Sequence, residues 1–110
     1  MLSLSKTQPP PPPALNLNAL RHFVAKALEK GWVKEVFHSE HERAYRNISM
    51  EDILYGLERP NWTLAAPPDF DTKHKNWEYR IKTVDIDGVD LGLKIAPNPA
   101  DGTVIVITKF

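Results

Sequence analysis

Histidine, arginine and lysine recur at two places in this chain where they suit proton transfer and phosphate binding. The first is Phe37 to Ile53, FHSEHERAYRNISMEDI, with His38, His41 and Arg46 ahead of a helix start. The second is a pair of alternating runs, Trp77 to Asp85 and Val89 to Ile95, which carry Arg80, Lys82 and Lys94. Cleaving an RNA phosphodiester without a metal needs a base for the 2′-hydroxyl, an acid for the departing oxygen and cations for the charged phosphorane. Imidazole titrates near neutrality, so His38 or His41 suits the catalytic proton work. Arg46, Arg80, Lys82 and Lys94 suit the phosphate. A further imidazole, His74, lies in Lys73-His74-Lys75-Asn76-Trp77, where Trp77 could stack a base. The plainer reading, a surface loop with Trp77 turned into the core, is preferred there. His38 also has a plain structural role, bonding backbone at a strand end.

Other chemistries have less support. His38 and His41 stand three apart and would share one helical face, with Glu42 near. No distant partner completes a ligand set, so no metal or other cofactor is expected. No serine sits in a nucleophile-elbow context. The absence of cysteine excludes thiolate metal sites, disulfides and thiol nucleophiles.

The elements that must position these groups follow from local signals. Leu20, Phe23, Val24, Ala27 and Leu28 recur at helical spacing, predicting a helix over Asn18 to Lys30. Asn16 or Asn18 caps it and Gly31 stops it. Val33 to Phe37 is a short predicted strand, and Ser39 caps a helical turn over Glu40 to Arg46. Ser49 and Asp52 form a capping box for a second helix that buries Ile53, Leu54 and Leu57 and ends at Pro60. Trp62 to Ala66 is a candidate strand, and Asp69 to Asn76 is predicted as a polar loop. Three strands follow, about Trp77 to Asp85, Val89 to Ile95 and Thr103 to Phe110. Helices followed by strands indicate α+β, with the N-terminal helices on one face of a mainly antiparallel sheet of four to five strands.

The hairpin register follows from its turn. A two-residue turn at Asp87-Gly88 sets Lys82 against Leu93, which mismatches the faces. A three-residue loop, Ile86-Asp87-Gly88, with Gly88 left-handed, pairs Asp85 with Val89 instead. Trp77, Tyr79, Ile81 and Thr83 then share a face with Leu91, Leu93 and Ile95. The other face carries Glu78, Arg80, Lys82, Gly92 and Lys94, with Arg80 directly opposite Lys94. Like charges opposite each other are destabilising. The arrangement calls for solvent, a neutralising carboxylate such as Glu78, or a bound anion.

His38, Arg46, Ile48 and Ser49 follow the pattern H-x7-R-x-I-S, which resembles the helix entry of domain-of-unknown-function family 4258. Asp87-Gly88 is similar to that family's hairpin turn, and Val104 to Phe110, VIVITKF, to its closing strand. The resemblance spans about Val33 to Phe110. It implies a small RNase-toxin fold of the RelE and colicin class. One position departs from the pattern: Glu42 stands where the family usually carries an arginine four residues after the histidine.

Apolar residues make up 42% of the 110, enough for one small core. Residues 1–14 are expected to be a disordered proline-rich tail and 15–110 a single α+β domain. Formal charge is zero, which argues against a general nucleic-acid coat and leaves room for a local basic patch. The N-terminus has no long apolar run, so no membrane partner is expected and the cytoplasm is the expected compartment. Two functions are carried forward. One is a toxin-like endoribonuclease, or a degenerate relative, with RNA and a cognate antitoxin as partners. The other is a non-catalytic module that binds protein or nucleic acid.

Overall fold

Asn16 and Gly31 bracket the first helix as their chemistry dictates. The computed structural model describes residues 11–36 and 49–109. Helix α1 spans Leu17–Lys30. The Asn16 carboxamide oxygen accepts from the Ala19 N–H at 2.8 Å. Gly31 adopts the left-handed conformation at φ 72°, and the Gly31 and Trp32 N–H groups bond the Leu28 and Ala27 carbonyls. Helix α2, Met50–Glu58, opens on the predicted capping box. The Asp52 N–H donates to Ser49 Oγ at 3.2 Å, and the Ser49 N–H donates to Asp52 Oδ2 at 3.3 Å. Phe37, the predicted turn over Glu40 to Arg46, and Phe110 lie outside the described residues.

The strands are β1 (Val33–Glu35), β2 (Thr63–Leu64), β3 (Asp69–Asp71), β4 (Asn76–Val84), β5 (Asp90–Asn98) and β6 (Thr103–Lys109). They form one sheet in the order β1-β6-β5-β4-β2, with β3 also pairing β4. β1 runs parallel to β6 and every other pairing is antiparallel. The class is α+β, as expected.

Among the described residues six strands replace the four or five anticipated, because β3 lies in the stretch predicted as polar loop. Phe70 explains it. It stands opposite Trp77 and meets its ring edge-on at 5.2 Å, so one aromatic anchors a strand whose other two residues are aspartates.

β5 also outruns its predicted end at Ile95 and carries Pro97 inside the sheet, opposite Val104. The Val104 N–H points away from β5, to the Trp32 carbonyl at 2.9 Å. In an antiparallel pair the Pro97 nitrogen therefore also points away from β6, toward β4. The β4–β5 pairing ends at Tyr79↔Ile95, so no ladder bond is lost there.

One face of this sheet carries the core. Leu20, Val24 and Ala27 of α1 and Ile53 and Leu57 of α2 are buried with Tyr79, Ile81, Leu91, Leu93, Ile95, Val104 and Val106. Each large aliphatic among them stabilises by about 1.5–3 kcal/mol on transfer from water. α2 meets β4 through Gly56, where a Cβ would stand 2.7 Å from the Thr83 methyl. The Thr83 hydroxyl, buried there, donates to the Gly56 carbonyl at 2.7 Å. Among the described residues no helix is long and apolar enough to cross a membrane.

Candidate functional site

The β4–β5 turn fixes which side chains share the face opposite the core. Gly88 is left-handed at φ 80°. Asp85 Oδ1 accepts from the Asp87 and Val89 N–H groups at 2.9 Å each, and the Asp85 N–H donates to the Val89 carbonyl. This closes the three-residue loop the sequence predicts. The ladder follows in register: Arg80↔Lys94, Ile81↔Leu93, Lys82↔Gly92 and Thr83↔Leu91.

Arg80, Lys82 and Lys94 therefore stand together on the outer face. Arg80 and Lys82 are exposed. Lys94 Nζ reaches Glu78 Oε1 at 3.0 Å, in a pair that keeps only 24% and 16% of its side-chain exposure. One carboxylate thus relieves the repulsion between Arg80 and Lys94. The face is polarised along β4. Asp69 and Asp71 stand opposite Glu78 and Asn76 at one end, and Arg80 and Lys82 occupy the other.

At the acidic end lies a cavity of about 210 Å³. Val36, Ala96, Ile105 and Ile107 give it apolar walls, and Asp71, His74, Asn76 and Glu78 give it polar ones. Ile107 follows Ile105 onto this face by strand alternation, and the bulge beside it sets Thr108 opposite Lys94.

His74 is held by the turn between β3 and β4. Asp71 Oδ1 accepts from the Lys73 N–H at 3.0 Å and the His74 N–H at 3.4 Å, and Lys75 closes the turn at φ 56°. The second carboxylate oxygen, Oδ2, lies 2.6 Å from His74 Nδ1. The His74 bond, aided by these N–H donors and opposed by partial burial, holds the Asp71 carboxyl below the usual carboxylate range. An ionised Asp71 can only accept, so His74 Nδ1 donates to it and Nε2 is the ring nitrogen that Asp71 does not engage.

The candidates from sequence are thus divided. His38, His41 and Arg46 lie outside the described residues. Arg80, Lys82 and Lys94 share one face, but none of them lines the His74 cavity. Glu78 connects the two places, lining the cavity and binding Lys94. Asn76 and Arg80 are four strand residues apart, or about 13 Å. Trp77 does not serve as a stacking platform on this face, since its ring meets Phe70 on the core side. The sequence reading missed Asp71 as the partner of His74. Its signal was an aspartate three residues before a histidine in a loop, the spacing of a side-chain-closed turn.

The chain matches no protein-family model, no curated protein and no solved structure.

Proposed function

We propose that this protein acts on RNA through the outer face of its sheet, as a metal-independent, toxin-like endoribonuclease. The observation that carries the reading is the row Arg80, Lys82 and Lys94 on a face where no described helix contributes to the core. These cations would take the phosphodiester backbone. His74, oriented by Asp71, is the described group suited to proton transfer. In the cleavage step His74 Nε2 takes the 2′-hydroxyl proton and the 2′ oxygen bonds to phosphorus. The bond to the 5′ oxygen breaks, that oxygen takes a proton from water, and the resulting hydroxide takes back the proton held by His74. The products are a 2′,3′-cyclic phosphate and a free 5′-hydroxyl. His38, His41 and Arg46 are candidates for the same chemistry on sequence grounds alone. RNA and a cognate antitoxin protein are the partners that fit this reading, and the cytoplasm is the compartment.

A second reading is an RNA-binding module without catalysis. It is favoured by the Glu78–Lys94 ion pair and by the separation of His74 from Arg80 and Lys82. One experiment separates the two. Purified protein is incubated in EDTA with a single-stranded RNA, and both retention and cleavage are measured, wild type beside H74A and a combined R80A/K82A variant. Cleavage to cyclic-phosphate ends, lost in H74A, supports the enzyme. Retention lost only in R80A/K82A, with no cleavage, supports the module. Folded wild type that neither retains nor cuts RNA sinks both.

A further inference from the structure

Five consecutive prolines, Pro9 to Pro13, precede α1. Proline fixes its own φ and lacks an N–H, so such a run favours an extended polyproline II segment whose carbonyls are free to accept. The Pro12 carbonyl accepts from the Trp77 indole N–H at 2.6 Å. Just past the run, the Leu15 N–H donates to the Tyr79 hydroxyl oxygen at 2.8 Å. Trp77 and Tyr79 alternate on β4 and so point to the same face. Beside them is a groove of about 270 Å³, with Phe23, Trp77, Tyr79, Pro97 and Pro99 among its walls. Pro12 and Pro13 form one side of this space and leave the rest open.

Aromatic and proline rings flanking an extended segment, with an indole N–H bonding a proline-run carbonyl, is how polyproline II ligands are recognised. The ligand enters with its backbone already ordered, so little conformational entropy is lost.

We propose that this groove is a polyproline II docking site, one side of which the chain's own run takes up in cis. Its partner in trans is a proline-rich segment of another protein, which displaces Pro11 to Pro13. The run is tethered directly to α1, so its effective concentration at the groove is millimolar or higher and an incoming segment must compete with it. This inference is independent of the action on RNA.

The test uses the full chain and a synthetic peptide of its own residues 7–16, TQPPPPPALN. The three tryptophan indole N–H resonances report binding. A P11S/P12S/P13S variant keeps the carbonyls but loses the fixed backbone and the ring contacts. It should bind the peptide at least about tenfold more tightly than wild type, because the competing cis ligand is weakened. Only the Trp77 resonance should shift strongly, and W77F in the same background should abolish binding. No binding by a variant whose circular dichroism and melting match wild type overturns the proposal. So does equal binding by W77F. If the variant does not fold, wild type titrated to millimolar peptide decides, and an unmoved Trp77 resonance overturns the proposal. A wild-type dimer that dissolves in the proline variant assigns the groove to a second copy and overturns the partner in trans.

Discussion

The Gly56 carbonyl shows how single residues set tolerance in this molecule. It accepts from the Thr83 hydroxyl at 2.7 Å and from the Arg59 N–H at 3.3 Å. Thr83→Val removes one donor and leaves the other, so the expected loss is at the low end for a buried hydrogen bond, about 1 kcal/mol. Gly56→Ala is worse. Its methyl would lie 2.7 Å from the Thr83 methyl and 3.1 Å from the Val84 carbonyl oxygen, and backbone does not yield cheaply. Overpacking of this kind costs about 1–3 kcal/mol. Urea unfolding of the two variants should place Gly56→Ala below Thr83→Val, and the reverse order would refute the packing argument. Sequence alone offered Glu78 as one of three ways to relieve the Arg80–Lys94 repulsion, because the hairpin register places it on that face. It did not find Asp71 beside His74, because that pairing depends on a turn held by its own side chain and on a left-handed Lys75.

At the scale of elements, a carboxylate adds a tie between α2 and the β4–β5 turn. Asp52 closes the capping box and also accepts from the Ile86 N–H at 3.3 Å. The Ile86 and Ser49 bonds hold its carboxyl below the ordinary range. A carboxyl lowered by folding contributes stability above its unfolded pKa, and that contribution is lost as pH falls through the folded value. Asp52→Asn should therefore melt below wild type at neutral pH, and the gap should close as pH falls below about 4. A gap that persists unchanged at acid pH would mean the Asp52 charge does not contribute to the tie. Both helices and the β4–β5 register were legible because caps, a glycine turn and alternation point the same way. β3 was not, since two of its three residues are aspartates and its only anchor is Phe70 against Trp77. Nor was the far end of β5, where Pro97 reads as a strand stop unless one knows which way its nitrogen points.

For the whole molecule, zero net charge hides a local division along β4 and its partner β3, with Asp69, Asp71 and Glu78 at one end and Arg80 and Lys82 further along. The sequence reached the basic end through register. It could not show that the histidine cavity opens at the opposite end, since that depends on β3 and on the turn that follows it. If Arg80, Lys82 and Lys94 are the cations that meet the backbone, they bound the number of phosphates neutralised. For single-stranded RNA, log affinity against log salt should fall with a slope no steeper than about −2. A slope near −5 would mean that phosphates are bound elsewhere on the protein.

The two short strands beside β4 bear on how the protein survives at high concentration. β4 is nine residues long, and an exposed strand of that length would present a ladder for a neighbouring chain to copy. β2 shields Ile81 and Lys82, the Ala65 N–H takes the Arg80 carbonyl at 2.7 Å, and β3 shields Asn76 to Glu78. Between the two patches the chain passes through Pro67 and Pro68, whose nitrogens have no hydrogen to offer. The segment that looks least like structure in the sequence is therefore a fence against fibre growth. Replacing Phe70 with serine would loosen it, and the first sign of damage would be aggregation rather than unfolding.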